Sequence, residues 1–263
     1  VSSYPVAGAR RATLAGRLAR LGFADAEKAE TVVVELGLDV SLLDAIAAAA
    51  DPDLALAGMA RLLAAGDGEP ADGLRAALAD DGGFTARLTM VLGASAAFGD
   101  HLARHPADWR VLHGPGALRA RSASELRATL LHAVGAAPED TEPTATGPIS
   151  TPGNDSAATL CAAYHRALLQ LAARDLTGSI TVDETAAELA DLAAAAIEAA
   201  LAIARSRLPP GHAPARLAVI AMGKCGGREL NYASDVDVIF VAEPASPASP
   251  APASPAPASP APA

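Results

Sequence analysis

The stretch LAVIAMGKCGGRELNYASDVDVIFV, residues 217–241, decides how the chain is read. Upstream of it, apolar residues recur at helical spacing; here the period changes. Leu217 to Met222 is a short continuous apolar run, the pattern of a buried strand. Gly223-Lys224-Cys225-Gly226-Gly227 forms a glycine-rich turn, and Val236 to Val241 predicts a second strand. Glycine lets backbone N–H groups approach a phosphate because no Cβ stands in the way, and Lys224 and Arg228 flank the turn with positive charge. Asp235 and Asp237 are two apart, so a strand projects both from one face and turns Val236, Val238 and Phe240 toward the core.

Two carboxylates side by side repel. At about 4 Å and an effective dielectric of about 20 the cost is roughly 4 kcal/mol, which a divalent cation removes. Mg²⁺ is held by one or two carboxylates plus substrate phosphates, and metal sites of this kind suit in-line phosphoryl displacement. A glycine turn for a triphosphate, followed by an Asp-x-Asp strand, is the layout of polymerase-β-like nucleotidyltransferases. The Walker pattern needs four residues between its first glycine and its Gly-Lys pair, and Gly223-Lys224 closes no such loop. The dinucleotide pattern G-x-G-x-x-G does not fit Gly223, Gly226 and Gly227 either. The plain alternative for Asp235 and Asp237 is a solvated strand edge; for Lys224 and Arg228 it is ordinary surface charge. Cys225 reads as a packing residue.

Working back from this segment, residues 182–207 form the clearest helix. Thr181 and Glu184 have capping-box spacing, and Leu189, Leu192, Ala196, Ile197, Ala200, Leu201 and Ala204 form one apolar stripe before Pro209-Pro210-Gly211 ends it. A helix over about 156–174 precedes it, with Leu168, Leu169 and Ala172 as core candidates. Residues 138–155 are polar, with four prolines and two glycines, and read as a linker. Residues 1–137 form a helical region with breaks at Asp51-Pro52, Gly66-Asp67-Gly68, Gly82-Gly83 and Gly114-Pro115-Gly116. His101 and His105 stand four apart, a metal-compatible spacing. They lack the zinc-protease glutamate and a third ligand, and Pro106 marks a helix end. Trp109 reads as core. At the other end, residues 244–263 contain only Pro, Ala and Ser and are expected to be disordered with polyproline character.

Composition narrows the function classes. Of 263 residues, 51% are apolar but only 3% aromatic. Alanine forms helices well and buries little area per residue, so closely packed helices are expected. A net charge of −10 supplies no basic surface for nucleic acid. The alanine-rich run 186–204 is interrupted by Glu188, Asp191 and Glu198, so it reads as no membrane span, and no secretory signal is evident. Cys161 and Cys225 match neither a zinc nor a disulfide framework and read as free thiols in a reducing cytoplasm.

The run Met222 to Asp237 resembles the bifunctional glutamine-synthetase adenylyltransferase/adenylyl-removing enzymes, the actinobacterial members above all. Tyr164 to Leu176, the helix after it, and Phe98 to Leu112 resemble the helical N-terminal part of the same family, so the likeness covers most of 1–243. The resemblance implies a fold that is mostly α, followed from 156 to 243 by the start of an α+β nucleotidyltransferase domain. It implies an enzyme in which one domain removes AMP from a tyrosine of glutamine synthetase by phosphorolysis, giving ADP, and a second attaches AMP from ATP. A PII-type signalling protein and glutamine set the balance. A helical region ahead of the glycine turn implies the N-terminal, adenylyl-removing domain. Carried over, Asp235 and Asp237 hold Mg²⁺, Gly226, Gly227 and Ser234 line the phosphate site, and Lys224 and Arg228 are charge partners.

Family members continue with further strands, one of which supplies another carboxylate, and with a second catalytic domain. Here Glu243 leads into the Pro/Ala/Ser stretch, and the chain opens on Val1 rather than Met. A truncated N-terminal fragment without activity of its own is therefore expected. The competing expectation is a non-catalytic helical module that docks glutamine synthetase or a PII-type regulator.

Overall fold

The computed structural model describes residues 13–65, 69–138, 155–209 and 215–244. The expected linker and Pro/Ala/Ser tail fall almost wholly outside the described residues. At their edges, Asp155 is the residue preceding a helix, and Pro244 closes a strand rather than opening the tail.

Short helices build the first body: α1 (Leu14–Arg20), α2 (Ala26–Leu36), α3 (Val40–Ala47), α4 (Pro52–Ala65), α5 (Glu69–Asp80), α6 (Gly82–Ala94) and α7 (Ala96–Arg104), followed by a 3-10 helix (Pro106–Leu112). Helix starts explain two of the expected breaks. Pro52 opens α4, where its missing N–H costs nothing, and Asp51 accepts from Leu54 N at 2.9 Å. Asp81 caps α6 by accepting from Phe84 N at 2.9 Å. Leu18, Ile46, Met59, Phe84, Leu88 and Leu102 are fully buried in this core, with Trp109 5% exposed. The alanine and glycine content shows as close approach. A Cβ on Gly93 of α6 would lie 2.5 Å from Ala49 Cβ and 3.0 Å from Asp51 O, so no side chain fits where α6 passes the start of α4.

Three further helices follow, the last two the longest of those described: α8 (Ala123–Ala133), α9 (Ser156–Leu176) and α10 (Val182–Ser206). Both α8 and α10 begin with complete capping boxes, Ser122 with Glu125 and Thr181 with Glu184. Helix α9 joins the layers: Leu169, Ala172 and Ala173 belong to the first core, Ala167 to a second with Leu126, Leu130 and Ala199, and Leu171 to a third with Leu189 and Cys225. A buried ion pair locks α9 to α10, with Arg174 Nη1 at 2.9 and 2.7 Å from the two Glu188 carboxylate oxygens.

The buried stripe of α10 differs from the expected one. It runs through Thr185, Glu188, Leu189, Leu192, Ala195, Ala199, Ala202 and Ile203, whereas Ala200 and Ala204 are exposed. Ile197 and Leu201 instead line a groove facing the sheet. A helix that is apolar nearly all round offers two candidate faces, and tertiary packing chooses between them.

The sheet has two strands, β1 (Ala215–Ala221) and β2 (Val238–Pro244), paired antiparallel with Ala221 opposite Val238 and Ala215 opposite Pro244. This corrects two expectations. The strands are not buried: Leu217 is 39%, Ile220 47% and Phe240 64% exposed. Val236 precedes β2 and is 37% exposed, so neither it nor Phe240 faces a core. On one side, Ile197 and Leu201 of α10 line the groove together with Leu217, Val219 and Val238 of the ribbon.

Candidate functional site

β1 runs directly into a single helical turn, α11 (Gly223–Gly226). Met222 N donates to Asp237 O at 2.8 Å, which clamps the exit of β1 to the entrance of β2. The glycine turn and the Asp-x-Asp run are thereby held side by side. Asp237 Oδ2 lies 3.2 Å from where a Cβ on Gly223 would stand, and Gly223 has φ +52, so a side chain there is disfavoured twice. Gly226 has a different steric task. A Cβ on it would collide with the Ala221 carbonyl, its carbon only 2.9 Å away.

Backbone donors in the turn divide into two groups. Gly226 N and Gly227 N donate to Met222 O and Gly223 O at 3.0 and 2.9 Å. The N–H groups of Gly223, Lys224 and Cys225 have no partner among the described residues. Asp235 and Asp237 lie just before β2 rather than within it, and both are exposed. Neither carboxylate pairs with a described cation. Ser234 Oγ donates to Asp235 O at 3.2 Å. Lys224 is exposed and its ammonium likewise forms no ion pair among the described residues.

Arg228 is placed elsewhere. Its guanidinium takes both Asp191 carboxylate oxygens, at 2.6 and 2.9 Å, so it faces α10. Nearby, Cys225 and Leu230 are buried against Leu171, Leu189 and Ala193, and burial pushes the Cys225 thiol up. Tyr232 donates to Asp175 Oδ2 at 2.9 Å. Burial first, and then that bond, push its phenol well above the usual range. Asp175 and Asp191 thus position the loop. They lie 57 and 37 residues from their partners, and no local pattern marked them.

The paired histidines are part of a larger cluster. His105 follows the end of α7. The His101 ring stacks on His165 at 5.6 Å and tilts against His105 at 4.9 Å, while His101 Nε2 shares a 2.8 Å hydrogen bond with Asp108. Among the described residues, no three His, Cys, Asp or Glu side chains are arranged to hold a metal. Trp109 is in the core, as expected. No described helix is long and apolar enough to cross a membrane.

Comparison with known proteins gives a consistent picture. Residues 85–257 match the model of the glutamate-ammonia ligase adenylyltransferase family. The chain is 47% identical over 247 residues to the bifunctional glutamine synthetase adenylyltransferase/adenylyl-removing enzyme of Streptomyces coelicolor, covering 90% of this chain and 22% of that protein. It is 40% identical over 241 residues to the enzyme of the same description from Mycobacterium tuberculosis, covering 87% of this chain and 23% of that protein. It therefore spans between a fifth and a quarter of the length of these relatives.

Proposed function

Because the chain belongs to the glutamate-ammonia ligase adenylyltransferase family, we propose that residues 215–244 open a nucleotidyltransferase site in the N-terminal, adenylyl-removing part of an enzyme that adds and removes AMP on glutamine synthetase. The observation that carries this reading is the Met222–Asp237 clamp. It sets two exposed carboxylates beside a turn where a Cβ would intrude, and neither the carboxylates nor the leading N–H groups of the turn have a partner among the described residues.

The residues fit a divalent cation. Asp235 and Asp237 supply two hard oxygen donors that no cation among the described residues engages in an ion pair, and the remaining positions fall to phosphate oxygens and water. Asp235 and Asp237 would hold Mg²⁺, which when bound neutralises charge on the phosphates and polarises the reacting one. Phosphate oxygens of the substrate meet the free N–H groups of Gly223 to Cys225 and the Lys224 ammonium, with Ser234 at the rim. Gly226 and Gly227 shape the turn rather than donate. Arg228 acts through Asp191 by holding the loop in place.

In the removing reaction, an oxygen of inorganic phosphate attacks the adenylyl phosphorus. The bond to the tyrosine oxygen breaks, that oxygen takes a proton, and ADP leaves. Glutamine synthetase is then the protein substrate, a PII-type protein the regulator, and the cytoplasm the setting. A two-stranded ribbon is marginal alone, and this one exposes apolar residues on both faces, so the 263 residues by themselves are expected not to turn over.

The test uses a full-length family member carrying this segment. Changing both Asp235→Asn and Asp237→Asn should reduce phosphate-dependent ADP release from adenylylated glutamine synthetase at least 100-fold while AMP attachment from ATP persists. Unchanged ADP release would end the reading. The second reading, a docking module without chemistry, draws on the exposed ribbon. It predicts that the 263-residue chain binds glutamine synthetase and that the two asparagine changes leave that binding and the parent's turnover intact.

A further inference from the structure

A second site lies away from the hairpin, and its assignment does not depend on the reading above. Between the end of the 3-10 helix, the loop that follows it and α9 is a cavity of about 350 Å³. Arg110, Arg119, Arg121, Arg166 and His113 line it, and no acidic residue among those described does. In a chain of net charge −10, a concentration of four guanidiniums needs a cause. We propose that this cavity binds a small anion bearing a phosphate or diphosphate group.

The local charges do not cancel. Arg119 meets Glu125 at 2.7 Å. Arg166 lies 3.4 Å from Asp108, a carboxylate also engaged by His101 at 2.8 Å. His113 stands 4.0 Å from Asp81, which Arg87 also approaches, at 3.4 Å. Arg110 has no carboxylate partner among the described residues and stacks over Trp109, 5.1 Å from the ring centre. Among the described residues, Arg121 donates only to the Thr129 hydroxyl, at 2.7 Å. Burial above all, with Arg119 and Arg166 adding to it, pushes Arg121 down from the usual arginine range although Glu125 and Glu188 oppose this. Such a group gains most from an incoming negative charge. The acidic remainder of the chain is screened beyond about 8 Å at physiological ionic strength, so the cavity's own charge governs entry.

Geometry selects the ligand class. Gln170 Nε2 donates to Gly116 O at 2.9 Å, which ties the loop to α9 as one wall. The volume suits a small molecule. Guanidinium forks match phosphate oxygens two at a time, and a tetrahedral phosphate can accept from several forks where a carboxylate satisfies one.

The experiment titrates the 263-residue chain with inorganic phosphate and with pyrophosphate at low salt, by calorimetry and by NMR of the arginine side-chain N–H signals. Saturable binding of one pyrophosphate is expected, tighter than succinate by at least tenfold. Arg110→Gln with Arg119→Gln, both exposed positions, should weaken it at least tenfold, and Lys28→Gln on α2, which lines neither site, should leave it within twofold. Arg121→Gln is read only if its circular dichroism spectrum is unchanged. The proposal is overturned if no saturable binding occurs, if succinate binds as tightly, if the double variant retains affinity, or if Lys224→Gln abolishes binding, which would place the anion at the hairpin.

Discussion

Arg228 grips both carboxylate oxygens of Asp191, at 2.6 and 2.9 Å, and so fastens the loop after the glycine turn to the middle of α10. Arg228 is also the one non-glycine residue with positive φ among those described, at +59. The backbone is held there in a conformation that an arginine rarely adopts. Since Arg228 is more than half exposed, the pair contributes at the modest scale of surface salt bridges, about 1 kcal/mol or less. Asp191→Asn should therefore speed amide exchange across 223–232 by about threefold and leave α4 and α6 unchanged. Equal rates in both proteins would show that the pair fastens nothing.

Neighbouring glycines should respond in opposite ways. Gly226→Ala drives a methyl into the Ala221 carbonyl, which is backbone and cannot move aside, at a cost of about 1–3 kcal/mol. The nearest atom to a Cβ on Gly227 is Gly223 O at 3.4 Å, and Gly227 has φ −78, so Gly227→Ala should be tolerated. Limited proteolysis between 222 and 238 should be accelerated only in the first variant.

Arg174 and Glu188 make a buried pair, with the arginine 2% exposed. Removing one partner leaves a charge without compensation, at a cost of about 3–5 kcal/mol. Glu188→Gln should lower the urea midpoint sharply. Arg174→Met with Glu188→Leu should recover most of the loss, because apolar replacement of both removes the desolvation penalty. A double variant as unstable as the single one would contradict this account.

Acid sensitivity should begin at the capping boxes. The Ser122 backbone N–H, then the Arg119 guanidinium, hold the Glu125 carboxyl down from 4.5 to about 2. Glu184 is lowered in the same way by Thr181. A carboxyl depressed by folding stabilises above its unfolded value of about 4.5 and loses that contribution as pH falls toward 2. Thermal melts from pH 5 to pH 2 should decline for the parent protein and decline less for Glu125→Gln. A carboxyl signal of Glu125 with its midpoint near 4.5 would contradict the assignment.

Local chemistry made the helices readable. Thr181 and Glu184 announced α10 because a capping box is contained within four residues, and the strand–turn–strand order of 217–241 follows from a change of period. The buried face of α10 was readable at Leu189 and Leu192 but not beyond them, because alanine fills it and the groove face alike. Burial of the strands was misjudged for a related reason: a continuous apolar run says nothing about what covers it. The anchors Asp175 and Asp191, and the convergence of Arg110, Arg119, Arg121 and Arg166, join residues far apart in sequence that only packing brings together.

Trp109 is the chain's sole tryptophan and sits sealed against Phe84, ring centres 5.4 Å apart. Its fluorescence is therefore an optical gauge of the helical body alone, blind to the ribbon that begins a hundred residues later. The half-exposed Tyr232 sits at the ribbon's base; with the other two tyrosines, Tyr4 and Tyr164, changed to phenylalanine, the two emissions separate collapse of the scaffold from detachment of the hairpin within a single sample.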